Sequence, residues 1–238
     1  MSNWLKAIAF LIGSAILTRL IPFSSFFRNV DTMVHEFGHA IVTLMLSGRV
    51  MNISLYPDHS GVTRSLVANG FRMVPVALAG YVIASLFAWL LFSLYARGKY
   101  TAGLGIITAI AAVSLLLFVR NSFGVTWLIG FLVLTIVVFL LPAAVQKYYF
   151  LLIAFLSLEE SAMGPVTLIL YSLQAPSRAG DAAILADVTP LPAIAWSVIM
   201  LIIALWCAKN AILAFVSRDR YRQPKPALSS EGRPGRGA

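Results

Sequence analysis

Long apolar runs separated by short polar stretches dominate the hydrophobic pattern of this chain. A helix needs about 20 apolar residues to cross a hydrocarbon core of roughly 30 Å, and in lipid it must satisfy its own backbone hydrogen bonds. The pattern therefore predicts an all-α polytopic membrane protein with about six to seven transmembrane helices. The runs lie near residues 4–23, 30–47, 71–96, 102–119, 125–145, 147–173 and 190–216.

Residues 49–65 interrupt this succession just after the second apolar run. Two short β-prone runs there flank Pro57 and the Ser60-Gly61 pair, a combination typical of a tight turn between strands. We therefore expect a short β-hairpin inserted directly after the second helix.

The run at 147–173 is irregular, because Glu159-Glu160 and Gly164-Pro165 fall in its middle. Charged residues are costly inside a bilayer, and Gly and Pro weaken a regular helix. The pattern favours a broken or re-entrant helix here, which would leave six true spans.

Composition supports residence in a membrane, since 60% of the 238 residues are hydrophobic, 11% are charged and the mean hydropathy is +0.87. We expect one integral-membrane domain over 1–216 and a disordered, basic, cytoplasmic tail over 217–238.

The net charge of +9 does not indicate a nucleic-acid-binding protein, because the basic residues are scattered between apolar runs or concentrated in the tail. The run at 4–23 also suits a signal peptide, but no small-x-small cleavage site follows it, which favours a transmembrane helix.

Two of the three histidines lie together in the second run, in the sequence His35-Glu36-Phe37-Gly38-His39. On a helix this H-E-x-x-H spacing places both imidazoles on one face, one turn apart, where they can bind one zinc ion. Glu36 lies about 100 degrees round the helix, where it can act as the general base toward an attacking water. Such a polar cluster normally persists in a membrane only when it is paired or functional, so the motif predicts a zinc site.

A catalytic zinc ion usually has three protein ligands and one open position, so a third ligand must come from elsewhere. The one cysteine, Cys207, provides neither a disulfide framework nor a thiolate site. Local pattern also suits Asp31 and Asp181 as helix N-caps, the latter for a helix over 182–187. The candidate ligands in or beside apolar runs are Asp31, Asp58, His59, Glu159, Glu160, Asp181 and Asp187.

These segments resemble the site-2 proteases, a family of intramembrane zinc metalloproteases, and within it the compact B-type subgroup. The resemblance covers most of the chain up to about residue 216. It implies that His35 and His39 are zinc ligands, that Glu36 is the catalytic base, and that Asp181 is the third ligand. Better-studied members carry an Asp-Gly pair where this chain has Gly180-Asp181-Ala182. The segments that carry the resemblance are VHEFGHA, SGRVMNISLYPDHSGVT, ALAGY at 77–81, and GDAAILADVTPLPAIAW.

Topology bears on the assignment of Asp181. If all seven apolar runs crossed the membrane, five crossings would separate the start of the second helix from the Asp181 segment and place them on opposite faces. A re-entrant 147–173 segment would bring them to one face, and a meeting deep in the bilayer is the alternative. We expect the re-entrant arrangement.

The motif and the resemblance together favour a multi-pass zinc metalloendopeptidase of the bacterial cell membrane, acting on membrane-embedded or membrane-adjacent proteins, with the hairpin holding the substrate as an added strand. One alternative is a catalytically inactive, site-2-protease-like binding or regulatory protein, whose zinc site would be closed by Glu159 or Glu160. Another is a transporter of protons or metal ions. The scarcity of ionisable residues in the spans between 71 and 145 disfavours it.

Substrate identity and oligomeric state are not specified by the sequence. The candidate stabilisers of a reaction oxyanion are Asn69, Asn121 and His59.

Overall fold

The computed structural model describes residues 24–67 and 70–217, which form a helical bundle with a two-stranded hairpin. The predicted helix at 4–23 and nearly all of the predicted tail at 217–238 lie outside these residues. A short 3-10 turn over Pro176–Arg178 precedes the helix that begins at Gly180. In chain order the elements are α1 (Ser24–Met45), β1 (Arg49–Leu55), β2 (Gly61–Leu66), α2 (Met73–Ala96), α3 (Tyr100–Val113, extended by a π-helical turn Ser114–Phe118), α4 (Ser122–Phe139), α5 (Ala143–Gln174), α6 (Gly180–Val188) and α7 (Ala193–Val216).

Five of the described helices, namely α2, α3 with its π-helical turn, α4, α5 and α7, are long and apolar enough to cross a membrane by length and composition. This confirms a mostly helical chain with five candidate membrane spans and a two-stranded hairpin, as a multi-pass membrane protein would have. Helix α1, which carries the H-E-x-x-H motif, is not among the five. The total of six to seven spans stays a prediction.

Helix α5 is continuous from Ala143 to Gln174, with Pro165 inside it, so the predicted break in the 147–173 run is wrong. The two glutamates in its middle are paired with an arginine of a neighbouring helix, so the helix does not have to break to accommodate their charges. Arg28 of α1 donates to both carboxylate oxygens of Glu159, at 3.0 and 3.2 Å, and forms an ion pair with Glu160. A paired charge facing another helix is compatible with a regular span, and membrane helices tolerate an internal Pro.

The re-entrant 147–173 segment was expected because five full crossings would place the start of the second helix and the Asp181 segment on opposite faces. In the structure α1 instead begins partway through the bundle. Its first turns lie beside the middles of α5 and α4, where Arg28 contacts Glu159 and the carbonyl of Phe26 accepts a hydrogen bond from Trp127 at 2.9 Å. Only the four passes α2 to α5 separate the end of α1 from α6. An even number of passes returns the chain to the same end of the bundle, so no re-entrant segment is required.

Helix α2 is the centre of the bundle and packs against α1, α5 and α7. Helices α2 and α5 run antiparallel, and the rings of Phe92 and Phe155 meet edge to face with centroids 5.1 Å apart. Phe215 of α7 contacts both rings. At the other end of the bundle the hydroxyls of Ser172 and Ser197 link α5 to α7 at 2.9 Å. This packing fixes the elements that surround the motif.

The predicted hairpin is present as β1 and β2, paired antiparallel with Ile53 opposite Thr63. On its other side β1 contacts the α3–α4 connection, where the Asn121 side chain accepts from the backbone N–H of Leu55 at 3.1 Å and donates to its carbonyl at 2.6 Å. The hairpin tip packs on α1, since Thr32 donates to the carbonyl of His59 at 2.9 Å. Strand β1 is therefore covered on both edges, whereas β2 has no second strand partner in the described part of the chain.

Candidate metal centre

Helix α1 brings the two histidines of the motif together as the spacing predicts. The Nε2 atoms of His35 and His39 lie 3.0 Å apart, and the ring planes are nearly perpendicular. His39 Nδ1 lies 2.7 Å from the carbonyl oxygen of Val76, which can only accept a hydrogen bond. In the neutral imidazole that binds a metal, Nδ1 would therefore be the donor and Nε2 would carry the lone pair.

Asp181, at the start of α6, completes the cluster. Its Oδ2 atom lies 3.2 Å from His35 Nε2 and 3.3 Å from His39 Nε2. The N-cap interpretation of Asp181 is wrong, because Ala179 occupies that position and no side chain caps the helix. Gly180 has a φ of +49°, a left-handed conformation that glycine adopts without strain, and it connects the 3-10 turn to α6. Within the described residues, these three side chains form the group able to hold a metal ion.

The three facing atoms fit a zinc ion. Zinc bonds to His nitrogen and carboxylate oxygen are about 2.0–2.2 Å, so ligand atoms of a tetrahedral site lie about 3.3 Å apart. The observed separations of 3.0, 3.2 and 3.3 Å form nearly that triangle. Burial alone would raise the pKa of the Asp181 carboxyl. The charge of protonated His39 and hydrogen bonds from His35 and His39 outweigh burial, so that without metal this pKa lies below its usual range.

Gly80 of α2 provides the space in which the histidines converge. A Cβ atom at this position would lie 2.4 Å from His35 Nε2 and 2.5 Å from His39 Nε2. Any larger residue would therefore occupy the position of the ligand atoms themselves. The sequence showed Gly80 only as a member of the ALAGY segment.

Glu36 lies against the hairpin and not in the ligand triangle. Its side chain is buried, and Thr63 of β2 donates to its Oε2 at 2.5 Å and to its backbone carbonyl at 3.0 Å. A Cβ atom on Gly61 would lie 2.6 Å from both Cγ and Oε1 of Glu36. The glutamate is thus held by β2 beside the metal-binding face of α1. The sequence indicated Gly61 only as a turn residue, and no sequence signal identified Thr63.

The other candidate ligands are not part of the cluster. Asp31 lies inside α1, more than a turn past its first residue, so its N-cap interpretation is wrong. Asp58 accepts from the Ser60 hydroxyl at 2.7 Å within the hairpin tip, and its carboxyl pKa is lowered by that hydrogen bond. Asp187 is on the exposed side of α6. His59 contacts Asn29, and Glu159 and Glu160 contact Arg28.

A cavity of about 710 Å³ opens over the cluster. Its walls are the unpaired edge of β2, the first turns of α2, the start of α6 and Glu160 and Gly164 of α5. His35, Glu36, His39 and Asp181 all line it, so the candidate metal ligands and the candidate base face one space.

A comparison with protein-family models matches residues 4–211 to the family described as Peptidase M50B-like. The chain belongs to this family. Neither the curated proteins nor the solved structures contain a match to the chain. M50B-like proteins are related to the site-2 proteases, so the resemblance in the sequence is confirmed, and membership implies a zinc-dependent metallopeptidase.

Proposed function

We propose that this M50B-like protein is an intramembrane zinc metallopeptidase that hydrolyses peptide bonds of membrane-embedded or membrane-adjacent proteins. His35, His39 and Asp181 hold the metal, and Glu36 is the general base. The proposal rests on one observation. Three ligand atoms converge to within 3.0–3.3 Å of one another on the wall of a cavity.

When bound, zinc lowers the pKa of water to about 7 and polarises a peptide carbonyl. Glu36 takes the proton of the attacking water and returns it to the leaving amine, which balances the hydrolysis. Thr63 holds one carboxylate oxygen of Glu36, and the carbonyl of Val76 fixes the His39 ring. The burial of Glu36 limits competing contacts with water.

The cavity suits a substrate in an extended conformation. A helical segment hides its carbonyls in backbone hydrogen bonds, so a membrane helix must unwind before it can be cut. The free edge of β2 lines the cavity and offers backbone donors and acceptors to an added strand. A substrate strand bound there passes directly in front of Glu36, which Thr63 attaches to the same strand.

The non-catalytic alternative requires a closed zinc site with a fourth protein ligand. The fourth ligands expected for that site, Glu159 and Glu160, are both paired with Arg28. This pairing favours a site with an open position, which is the arrangement that catalysis requires.

Glu36→Gln tests the proposal. The detergent-solubilised protein is incubated with a synthetic library of apolar peptides, and cleavage is detected by mass spectrometry. We expect the variant to keep its zinc and to lose at least about 10²-fold in rate, the usual contribution of a general base. Asp187→Asn, the corresponding amide substitution on the exposed side of α6, is the matched control. Undiminished cleavage by Glu36→Gln would exclude the proposed mechanism.

A further inference from the structure

The proposed reaction creates negative charge on the carbonyl oxygen of the substrate, and preorganised donors commonly stabilise such an oxygen. Two residues predicted for this role have other partners. Asn121 binds the backbone of Leu55 through both its donor and its acceptor. His59 lies at the hairpin tip, with its ring against Asn29 and Ser25. The third, Asn69, lies outside the described residues.

Tyr81 of α2 has the required position. It follows Gly80, the residue at which an added Cβ atom would meet both histidine Nε2 atoms, and its ring packs edge-on to the ring of His35 with centroids 4.5 Å apart. The tyrosine ring also meets α5 at Gly164, where a Cβ atom would lie 2.8 Å from Tyr81 Cε1. The ring thus packs against both a metal ligand and a glycine that leaves room for it.

The Tyr81 hydroxyl is available to a ligand. The side chain is only partly buried and lines the cavity, and its hydroxyl makes no hydrogen bond to any residue that the structure describes. A tyrosine hydroxyl that is partly removed from solvent normally has a hydrogen-bond partner. Its position, between His35 and α5, is distinct from that of Glu36, which lies against β2.

We propose that Tyr81 is a catalytic residue that donates a hydrogen bond to the carbonyl oxygen of the scissile peptide as that oxygen becomes negative. The inference rests on the proposed peptidase function and adds a donor to it. No proton is transferred in this step, because the neutral phenol keeps its hydrogen throughout. Glu36 and Tyr81 thus have separate roles. Glu36 accepts the proton of the water, and Tyr81 stabilises the negative charge on the carbonyl oxygen.

Tyr81→Phe removes the hydroxyl and keeps the ring that packs on His35 and Gly164. We expect zinc content to be unchanged, kcat to fall about 10²-fold, as for loss of one oxyanion donor, and KM to change by no more than about twofold. Tyr171→Phe, on the exposed side of α5, is the matched control and should behave as wild type.

A binding measurement provides a readout that does not depend on turnover. By titration calorimetry of the zinc-loaded protein, a peptide hydroxamate, which presents an oxygen anion, should bind Tyr81→Phe about tenfold more weakly, the equivalent of one hydrogen bond. A peptide thiol, which has no such oxygen, should bind wild type and variant equally.

Wild-type kcat and hydroxamate affinity in Tyr81→Phe would overturn the role of Tyr81 while leaving a zinc- and Glu36-dependent enzyme intact. Loss of zinc from the variant would also overturn it, because the tyrosine would then act only by packing on His35. Absence of zinc and of hydroxamate binding in the wild type would overturn both this inference and the peptidase function.

Discussion

Gly80→Ala is the substitution whose effect on the metal site follows most directly from the structure. The added Cβ atom would lie 2.4 Å from His35 Nε2 and 2.5 Å from His39 Nε2, whereas ordinary van der Waals contact begins at 3.4 Å. Either a histidine or the backbone of α2 must therefore move by about 1 Å. Metal sites tolerate departures of about 0.2 Å in ligand distance, so this displacement is several times too large.

We expect the substitution to weaken zinc binding by at least about 100-fold, or about 2.7 kcal/mol, because changes that only misorient a ligand already cost 10- to 100-fold. Folding should be maintained, since alanine is favoured over glycine in a helix by about 1 kcal/mol. Zinc affinity is measured by competition with a chelating fluorophore in detergent, and folding by circular dichroism and thermal melting.

Gly105→Ala and Gly130→Ala are matched controls, because a Cβ atom at either position meets nothing within 4 Å. Both should keep wild-type zinc affinity. Wild-type affinity in Gly80→Ala would refute the placement of the histidines against α2, and with it the proposed ligand geometry.

Two further predictions concern the hairpin. Thr63→Val removes the hydrogen bond to Glu36 Oε2 and should lower kcat about tenfold with zinc content unchanged, whereas unchanged kcat would mean that β2 does not position the base. Asn121→Ala removes both hydrogen bonds to the Leu55 backbone and should destabilise the fold by about 1–3 kcal/mol, seen as a lower melting temperature, and an unchanged melting temperature would contradict this anchoring of β1.

The sequence was sufficient to predict the features that depend on local spacing. The i, i+4 histidines met on one face of α1 because a helix places them there, and apolar run lengths located five helices able to cross a membrane. Pro57 and the Ser60-Gly61 pair located the hairpin. Asp181 was assigned by resemblance, and no local feature distinguished it from an N-cap.

The features that depend on distant contacts were not predictable from one sequence. Glu159-Glu160 suggested a broken helix because Arg28, their partner, is more than a hundred residues away. The re-entrant segment was expected for a related reason, since nothing local shows that α1 starts partway through the bundle. Gly80 has the same appearance in the sequence as any small residue in a span, and only the fold reveals that it faces both histidines.

The most direct test of the account is zinc content per chain in purified, detergent-solubilised protein. Wild type should contain about one zinc ion, and His39→Ala and Asp181→Ala should lose it, because each removes one of the three converging atoms. Asp187→Ala, a carboxylate removed from the exposed side of α6, should retain it. A wild-type protein without zinc after metal addition, or full zinc content in Asp181→Ala, would contradict the proposed centre.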